Sequence, residues 1–392
     1  MNGSSTTSTV AFKIPLPASF LCMSLALWII DFSATLSNKG KFQYIPLLAI
    51  LLFCIYQYNL GNFKFFDFSH KYLWLSLYLV YGVTGILTGK LYFGAVNGPL
   101  PLVLPYTLLC FTIIGFHKAI STHTALKYVS ALCLMGNILV ILTRMKSIQI
   151  LDLFQFSHEG SYIAPLAIGC AILAKSKLLV ILNSLICLGM FVVYPAGTYV
   201  LTFGLSCFYI LIFLLRRSQK VVELFFMILW LVEGFLIYQI TFQFAKVITP
   251  SNAIFEFLGK ADNTLYRKIL SDQLLMYFFE QPMFGFGFAG EILVLTRFSS
   301  VPAHNDYLTI LVAGGLVGLI LFLLMVLSIQ WQAIQKLSQV SEMDCRILLI
   351  LLCTANIFLV SMSVNPLGMK VFNSLLFIGC LFWIRSISES YD

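Results

Sequence analysis

Five histidines (70, 117, 123, 158 and 304) are the side chains of this chain best suited to take a proton from a hydroxyl near neutral pH. Four stand in short polar connections. The fifth, His304, opens the stretch Pro302-Ala303-His304-Asn305-Asp306-Tyr307-Leu308, where a long charged segment runs into a long apolar one. The segment behind it, Ala313-Gly314-Gly315-Leu316-Val317-Gly318, is glycine-rich and lets another helix or a lipid chain come close. His304 is thus a candidate general base. A histidine at a helix start also serves simply as a cap or an interfacial residue, and that is the plain alternative. Asn305 is placed to orient an acceptor hydroxyl. Asp306 either holds the imidazole or, the favoured reading, caps the helix through its backbone amides.

Other residues offer charge rather than proton transfer. Arg267 lies on a segment whose apolar positions (Tyr266, Ile269, Leu270, Leu274, Tyr277, Phe278) fall on one helical face, with Lys268, Ser271 and Asp272 opposite and Arg267 at the border. This predicts an amphipathic helix over 263–279 at the membrane surface. A guanidinium there suits a diphosphate, the plain alternative being a solvated or headgroup contact. Glu233 sits inside an apolar run, where an ionisable residue marks a functional candidate unless it is a neutral carboxyl hydrogen-bonded in the bundle. Gly285-Phe-Gly287-Phe-Ala-Gly290 matches GxGxxG, but no strand precedes it, so a dinucleotide site is not expected. Gly285 and Gly287 are expected to form a tight turn that brings backbone close to something, with Pro282 ending the helix before it. The ten cysteines are scattered through apolar runs without a CxxC, and read as small buried hydrophobes.

The elements that must position these residues follow from composition. The chain has 392 residues, 60% of them apolar. A soluble chain carries about 25% charged residues; this one has 10%. Its mean hydropathy of +0.93 exceeds what a soluble fold can hide, since about a quarter of the chain's surface stays exposed at this size. Soluble enzymes, disordered chains and disulfide scaffolds are excluded. The net charge of +8 is spread in ones, twos and threes, with no basic stripe for nucleic acid. The apolar runs are continuous, against a barrel. The expected class is an all-α polytopic membrane protein of about 12 transmembrane helices with one long outer loop.

With a ruler of roughly 17–25 apolar residues, the candidate spans are Leu16–Leu36, Tyr44–Tyr58, Tyr72–Leu87, Leu100–Phe116, Tyr128–Leu142, Ser161–Ala174, Leu178–Tyr194, Tyr199–Leu215, Val221–Tyr238, Tyr307–Ile329, Ile347–Ser363 and Val371–Ile384. Lys175-Ser176-Lys177 reads as a tight hairpin between the sixth and seventh. Leu16–Leu36 is expected to be an uncleaved first span, Asp31-Phe32-Ser33 being a poor cleavage site. With both termini cytoplasmic, inner segments hold thirteen Lys and Arg against six in short outer loops, the other five lying in the long loop. That long loop, 242–304, carries ten of the forty charged residues. The organisation is therefore one membrane domain: spans one to nine (1–241), an outer loop (242–304), and spans ten to twelve (305–392).

The layout, Pro282-Met-Phe-Gly285-Phe-Gly287, and the spacing His304-Asn305, nine residues, Gly315, two residues, Gly318 resemble the O-antigen ligase and O-antigen polymerase superfamily. Arg267, about fifteen residues before Pro282, stands where that family places an arginine on its loop helix. The resemblance implies an inverting, metal-independent glycosyltransferase without a cofactor. Its donor is an undecaprenyl-diphosphate-linked glycan on the outer side of a bacterial inner membrane. His304 is then the base, and Arg267 balances charge on the departing diphosphate. The chain departs from the family at Tyr194-Pro195-Ala196-Gly197-Thr198, where an arginine usually stands. Either Arg144, Lys146 or Lys246 substitutes in binding the diphosphate, or the chain is a divergent member with altered activity.

Three functions compete on this reading. A ligase moves a finished glycan to lipid A–core, and a polymerase moves a growing chain onto another lipid-linked glycan. They share donor and motifs, with a lean to the ligase. A polysaccharide-lipid transporter or flippase is the third; the absence of a detectable repeat and of paired interrupted helices speaks against it.

Overall fold

The computed structural model describes residues 16–35, 52, 55, 73–93, 123–146, 163–193, 204, 208, 224, 226–235, 237–238, 261–287, 305–363 and 371–391. Among these residues the regular structure is helical, without a strand. The helices are α1 (Leu16–Thr35), α2 (Leu73–Phe93), α3 (His123–Lys146), α4 (Ala164–Leu173), α5 (Lys177–Val193), α6 (Phe226–Phe235), α7 (Ala261–Glu280), α8 (Asp306–Lys336), α9 (Glu342–Met362) and α10 (Val371–Glu389). Two of them, α8 and α9, are long and apolar enough to cross a membrane. The expected spans Tyr44–Tyr58, Leu100–Phe116 and Tyr199–Leu215 lie outside the described residues, except for 52, 55, 204 and 208, which are helical.

Several helices run past the apolar stretch that announces them. Helix α3 begins at His123 and ends at Lys146, beyond the expected Tyr128–Leu142, so Arg144 stands in its last turn and not in a loop. Helix α10 continues from the expected Ile384 to Glu389, and its buried Arg385 pairs with Glu389 at 2.7 Å, one turn on. The physical reason is common to both. Hydropathy marks the apolar part of a helix, whereas backbone hydrogen bonding continues until a cap or a chain reversal stops it.

Capping explains the stops. The α4–α5 hairpin closes with the Lys175 amide donating to the Ile172 carbonyl (3.0 Å) and the Ser176 amide to the Ala171 carbonyl (3.1 Å). That pairing puts Lys175 in the left-handed region, φ 49°. Helix α9 starts on Ser341, whose Oγ accepts from the Asp344 amide (3.2 Å) and donates to the Asp344 carboxylate (2.7 Å).

The core joins α1 to α3 and α10, α4 to α3, α5 and α9, and α8 to α2, α7, α9 and α10. Phe20 meets Phe382 edge-on across α1 and α10 (5.5 Å between centroids), and Phe358 meets Phe377 across α9 and α10 (5.7 Å). Five cysteines from five helices (Cys22, Cys133, Cys170, Cys187 and Cys380) converge on one region of this core as free thiols. The opposite surfaces of α5 and α6 expose Leu178, Ile181, Leu185, Ile228, Leu231 and Phe235. Such a surface suits lipid and not water.

Candidate active site

The predicted tight turn is residues 281–287, directly after α7, and the backbone it approaches is that of α8. Gly285 and Gly287 both have left-handed φ, 64° and 69°. Helix α8 is interrupted at Gly315, with φ 63° and ψ −167°, a conformation reserved for glycine. Interrupting a helix frees backbone groups that would otherwise pair four residues apart. The turn supplies their partners. The Leu316 amide donates to the Pro282 carbonyl (2.8 Å), the Val317 amide to the Met283 carbonyl (3.2 Å), and the Phe286 amide donates to the Val312 carbonyl (3.0 Å). Irregular backbone inside an apolar bundle persists only where it is satisfied in this way.

The approach is close enough to exclude side chains. A Cβ on Gly285 would lie 2.5 Å from the Ala313 carbonyl oxygen, and one on Gly315 would strike the Met283 carbonyl and the Phe284 amide nitrogen. Each of the two glycines therefore exists for the other. Gly318 serves a different contact. It and Gly314 receive the Tyr81 ring from α2, whose hydroxyl would collide with any Cβ there. Sequence carried no signal for Tyr81; a tyrosine in an apolar run has many possible neighbours.

Helix α7 forms where a helix was predicted, and its inner face packs on the bundle. Leu270, Leu274 and Tyr277 are buried, Asp272 is exposed, and Tyr277 meets Phe286 of the turn edge-on (6.2 Å). Phe279 and Met276 are exposed beside Asp272. Arg267 stands on this helix seven residues before Leu274, at nearly the same angular position.

At the start of α8 the cap falls on a different residue from the one expected. Asn305 has extended backbone (φ −152°, ψ 106°), and its Oδ1 accepts from the Leu308 amide at 3.1 Å. Asp306 is the first helical residue and is buried; it is not the cap. The Asn305 carbonyl accepts from the Thr309 amide (3.2 Å) and from Thr309 Oγ1 (3.1 Å), which locks the first turn. Asparagine wins because the residue with non-helical backbone is the one whose side chain can bend back to the free amides.

The expected span Tyr307–Ile329 lies within α8, which the break at Gly315 divides. At about 1.5 Å per residue, an unbroken helix would separate Tyr307 and Gln330 by roughly 34 Å. Instead both reach α9 within one turn of each other. Tyr307 Oη donates to the Leu359 carbonyl (2.8 Å), and Gln330 Nε2 donates to Asn356 Oδ1 (2.9 Å). Two side chains cannot bridge the difference, so residues 306–314 fold back at Gly315 toward the body of the helix. The remainder, 316–336, is about 31 Å long by the same rise, enough for a hydrocarbon core of about 30 Å. All of Asn305–Gly315 is buried.

Glu233, on α6, is buried near this fold. Asp306, Tyr307 and Cys353 stand in the same buried region. His304 and Lys246 lie outside the described residues, and for Arg267 and Arg144 the backbone alone is described. The structure thus joins Gly285 with Gly315 and places Asn305 and Asp306 at the folded-back helix start.

A family model described as O-antigen ligase matches residues 178–323, from the start of α5 through the glycine turn to the middle of α8. The match covers 146 of the chain's 392 residues. No curated protein matches the chain with significant similarity.

Proposed function

We propose, with membership of the O-antigen ligase and polymerase superfamily as the premise, that this chain is an inverting, metal-independent glycosyltransferase of the bacterial inner membrane. Its donor is an undecaprenyl-diphosphate-linked glycan, and its acceptor is the sugar hydroxyl of lipid A–core at the outer face. The observation that carries the reading is the overlap of the family match with the spliced glycine turn, the Asn305 cap and the break at Gly315, one continuous constellation within 178–323.

In this reaction the acceptor oxygen attacks the anomeric carbon from the face opposite the diphosphate. The carbon–oxygen bond to the diphosphate breaks with its electron pair leaving on phosphate oxygen. His304 takes the acceptor's proton, and Arg267 balances the charge developing on the leaving group. The diphosphate-lipid is already a good leaving group, so no nucleotide is required outside the cytoplasm. Arg144 and Lys246 supply the cationic contact for which the family ordinarily uses an arginine near Ala196. Twelve spans with both termini cytoplasmic put the long loop on the side where the donor glycan stands.

The test is transfer in vitro from an undecaprenyl-diphosphate glycan by purified protein, without added metal, comparing the wild type with His304→Gln. General-base assistance contributes roughly 10²–10⁴-fold, and a loss of that order is expected. Equal rates would make His304 structural. Offering lipid A–core and a second lipid-linked glycan as competing acceptors separates ligase from polymerase.

A further inference from the structure

Helix α7 carries apolar side chains on two faces, and one of them is left outside the bundle. Leu270, Leu274 and Tyr277 are buried on the inner side. Asp272, Met276 and Phe279 follow one another at i, i+4 and i+7 on the opposite side, and all three are exposed. That outer face changes character along its length, charged at Asp272 and apolar at Met276 and Phe279. The turn behind the helix continues the apolar series with Met283 and Phe284. These four large side chains are 53–72% exposed. Phe279 is held in place, because its ring packs at 5.3 Å on Phe278, which itself lies against the core. Glu280, also exposed, stands about 100° around the helix from Phe279, at the border of the apolar face.

The surface that adjoins this patch belongs to a helix suited to a bilayer. The Leu316 amide bonds the Pro282 carbonyl and the Val317 amide the Met283 carbonyl, and Gly315 leaves no room for a Cβ beside Met283 and Phe284. Met283 and Phe284 therefore stand against the first turn of α8 after its break. There Leu316 and Ile320, one turn apart, are exposed. No polar residue occurs from Leu316 to Leu327, so the exposed side of α8 offers nothing to water, whereas a water-facing helix keeps polar residues on its outer side. The apolar surface thus continues from the span onto a segment outside it, across the splice.

We propose that Met276, Phe279, Met283 and Phe284, together with Leu316 and Ile320, dock on the acyl chains of the adjoining membrane leaflet. The C-terminal end of α7 and the glycine turn are then set into the bilayer boundary, while Asp272 stays in water. Elements of this kind bury their apolar face about 5–10 Å into the boundary between headgroups and acyl chains. Continuity with the wholly apolar side of α8 identifies the occupant as lipid, and the charge at the far end of the α7 face gives the segment its tilt. Contiguous exposed apolar surface of this kind marks an interaction site. Docking there sets the depth of the Gly285–Gly315 splice at the edge of the hydrocarbon. The inference uses the passage of α8 through a bilayer and goes beyond the proposed reaction, since it requires no property of donor or acceptor.

The experiment places a nitroxide at Phe279→Cys, Phe284→Cys, Asp272→Cys or Ile320→Cys, one per chain, in the purified full chain. The bilayers are of phosphatidylethanolamine and phosphatidylglycerol, and the signal of the chain with no added cysteine is subtracted. Power saturation compares oxygen, which concentrates in hydrocarbon, with a water-soluble nickel chelate. Labels at 279 and 284 are expected to favour oxygen over nickel severalfold more than the label at 272, and to match the label at 320. Nickel access at 279 and 284 equal to that at 272 overturns the proposal, because the patch then stands in water. Protection from both reagents overturns it as well, because protein, whether a second copy or another partner, then covers the surface. If either phenylalanine variant fails to accumulate, Met276→Cys and Met283→Cys are read in the same way and decide. None of these readings depends on glycan transfer, so an inactive wild type sinks the proposed function alone.

Discussion

Gly315→Ala isolates the splice between the turn and α8. Alanine at φ 63°, ψ −167° occupies a region open essentially to glycine alone, which costs on the order of 1–3 kcal/mol. Its Cβ would also strike the Met283 carbonyl and the Phe284 amide nitrogen, which are backbone atoms with no rotamer to escape through. The alternative is for α8 to straighten. It would then regain the helical bonds of Leu316 and Val317 but lose the three bonds that tie it to 282–286, each worth about 0.5–1.5 kcal/mol. Either route disfavours the folded-back form by a few kcal/mol, and every 1.4 kcal/mol is about tenfold. Glycan transfer by Gly315→Ala is therefore expected to fall by roughly ten- to a hundredfold or more. Spin labels at the exposed positions Met276 and Ile320 should report a longer, broader distance distribution. Gly189→Ala is the control: nothing lies within 4 Å of a Cβ there, so activity should hold and α5 should gain about 0.5–1 kcal/mol. Full activity of Gly315→Ala with an unchanged distance distribution would refute the requirement for close backbone approach.

Arg267→Lys should impair transfer in the purified assay, because an ammonium loses the planar fork that holds a diphosphate; full activity of Arg267→Ala would reduce the arginine to a headgroup contact. Phosphatase fusions test topology: one after Ser300 should be active and one after Ser218 silent, and the reverse pattern would put the loop on the wrong side for the donor. Asn305→Ala should lower thermal stability by about 1 kcal/mol through loss of the α8 cap, with Asn305→Ser nearly neutral in the melt.

The membrane class, the helical character of α7, α8 and α9 and the α4–α5 hairpin were all legible in the chain itself. Each depends on properties a residue carries anywhere: apolarity repeated over a span length, apolar spacing at a helical period, or a short polar connection between two apolar runs. The glycines at 285 and 315 were likewise readable as places of unusual backbone or close approach. Their partners were not. That Gly285 exists for Gly315, while Gly318 exists for Tyr81, depends on which surfaces the bundle brings together across roughly 30 and 240 residues of chain. The same holds at the start of α8. Local chemistry permits either Asn305 or Asp306 to cap, and the direction of chain entry, extended at 305, selects asparagine. A straight span and a folded-back one are equally apolar, so hydropathy alone cannot separate them. The difference is made by three backbone bonds from a turn some thirty residues upstream, together with a tyrosine that completes the end of α9. Backbone groups in an apolar interior must find partners wherever the tertiary fold supplies them.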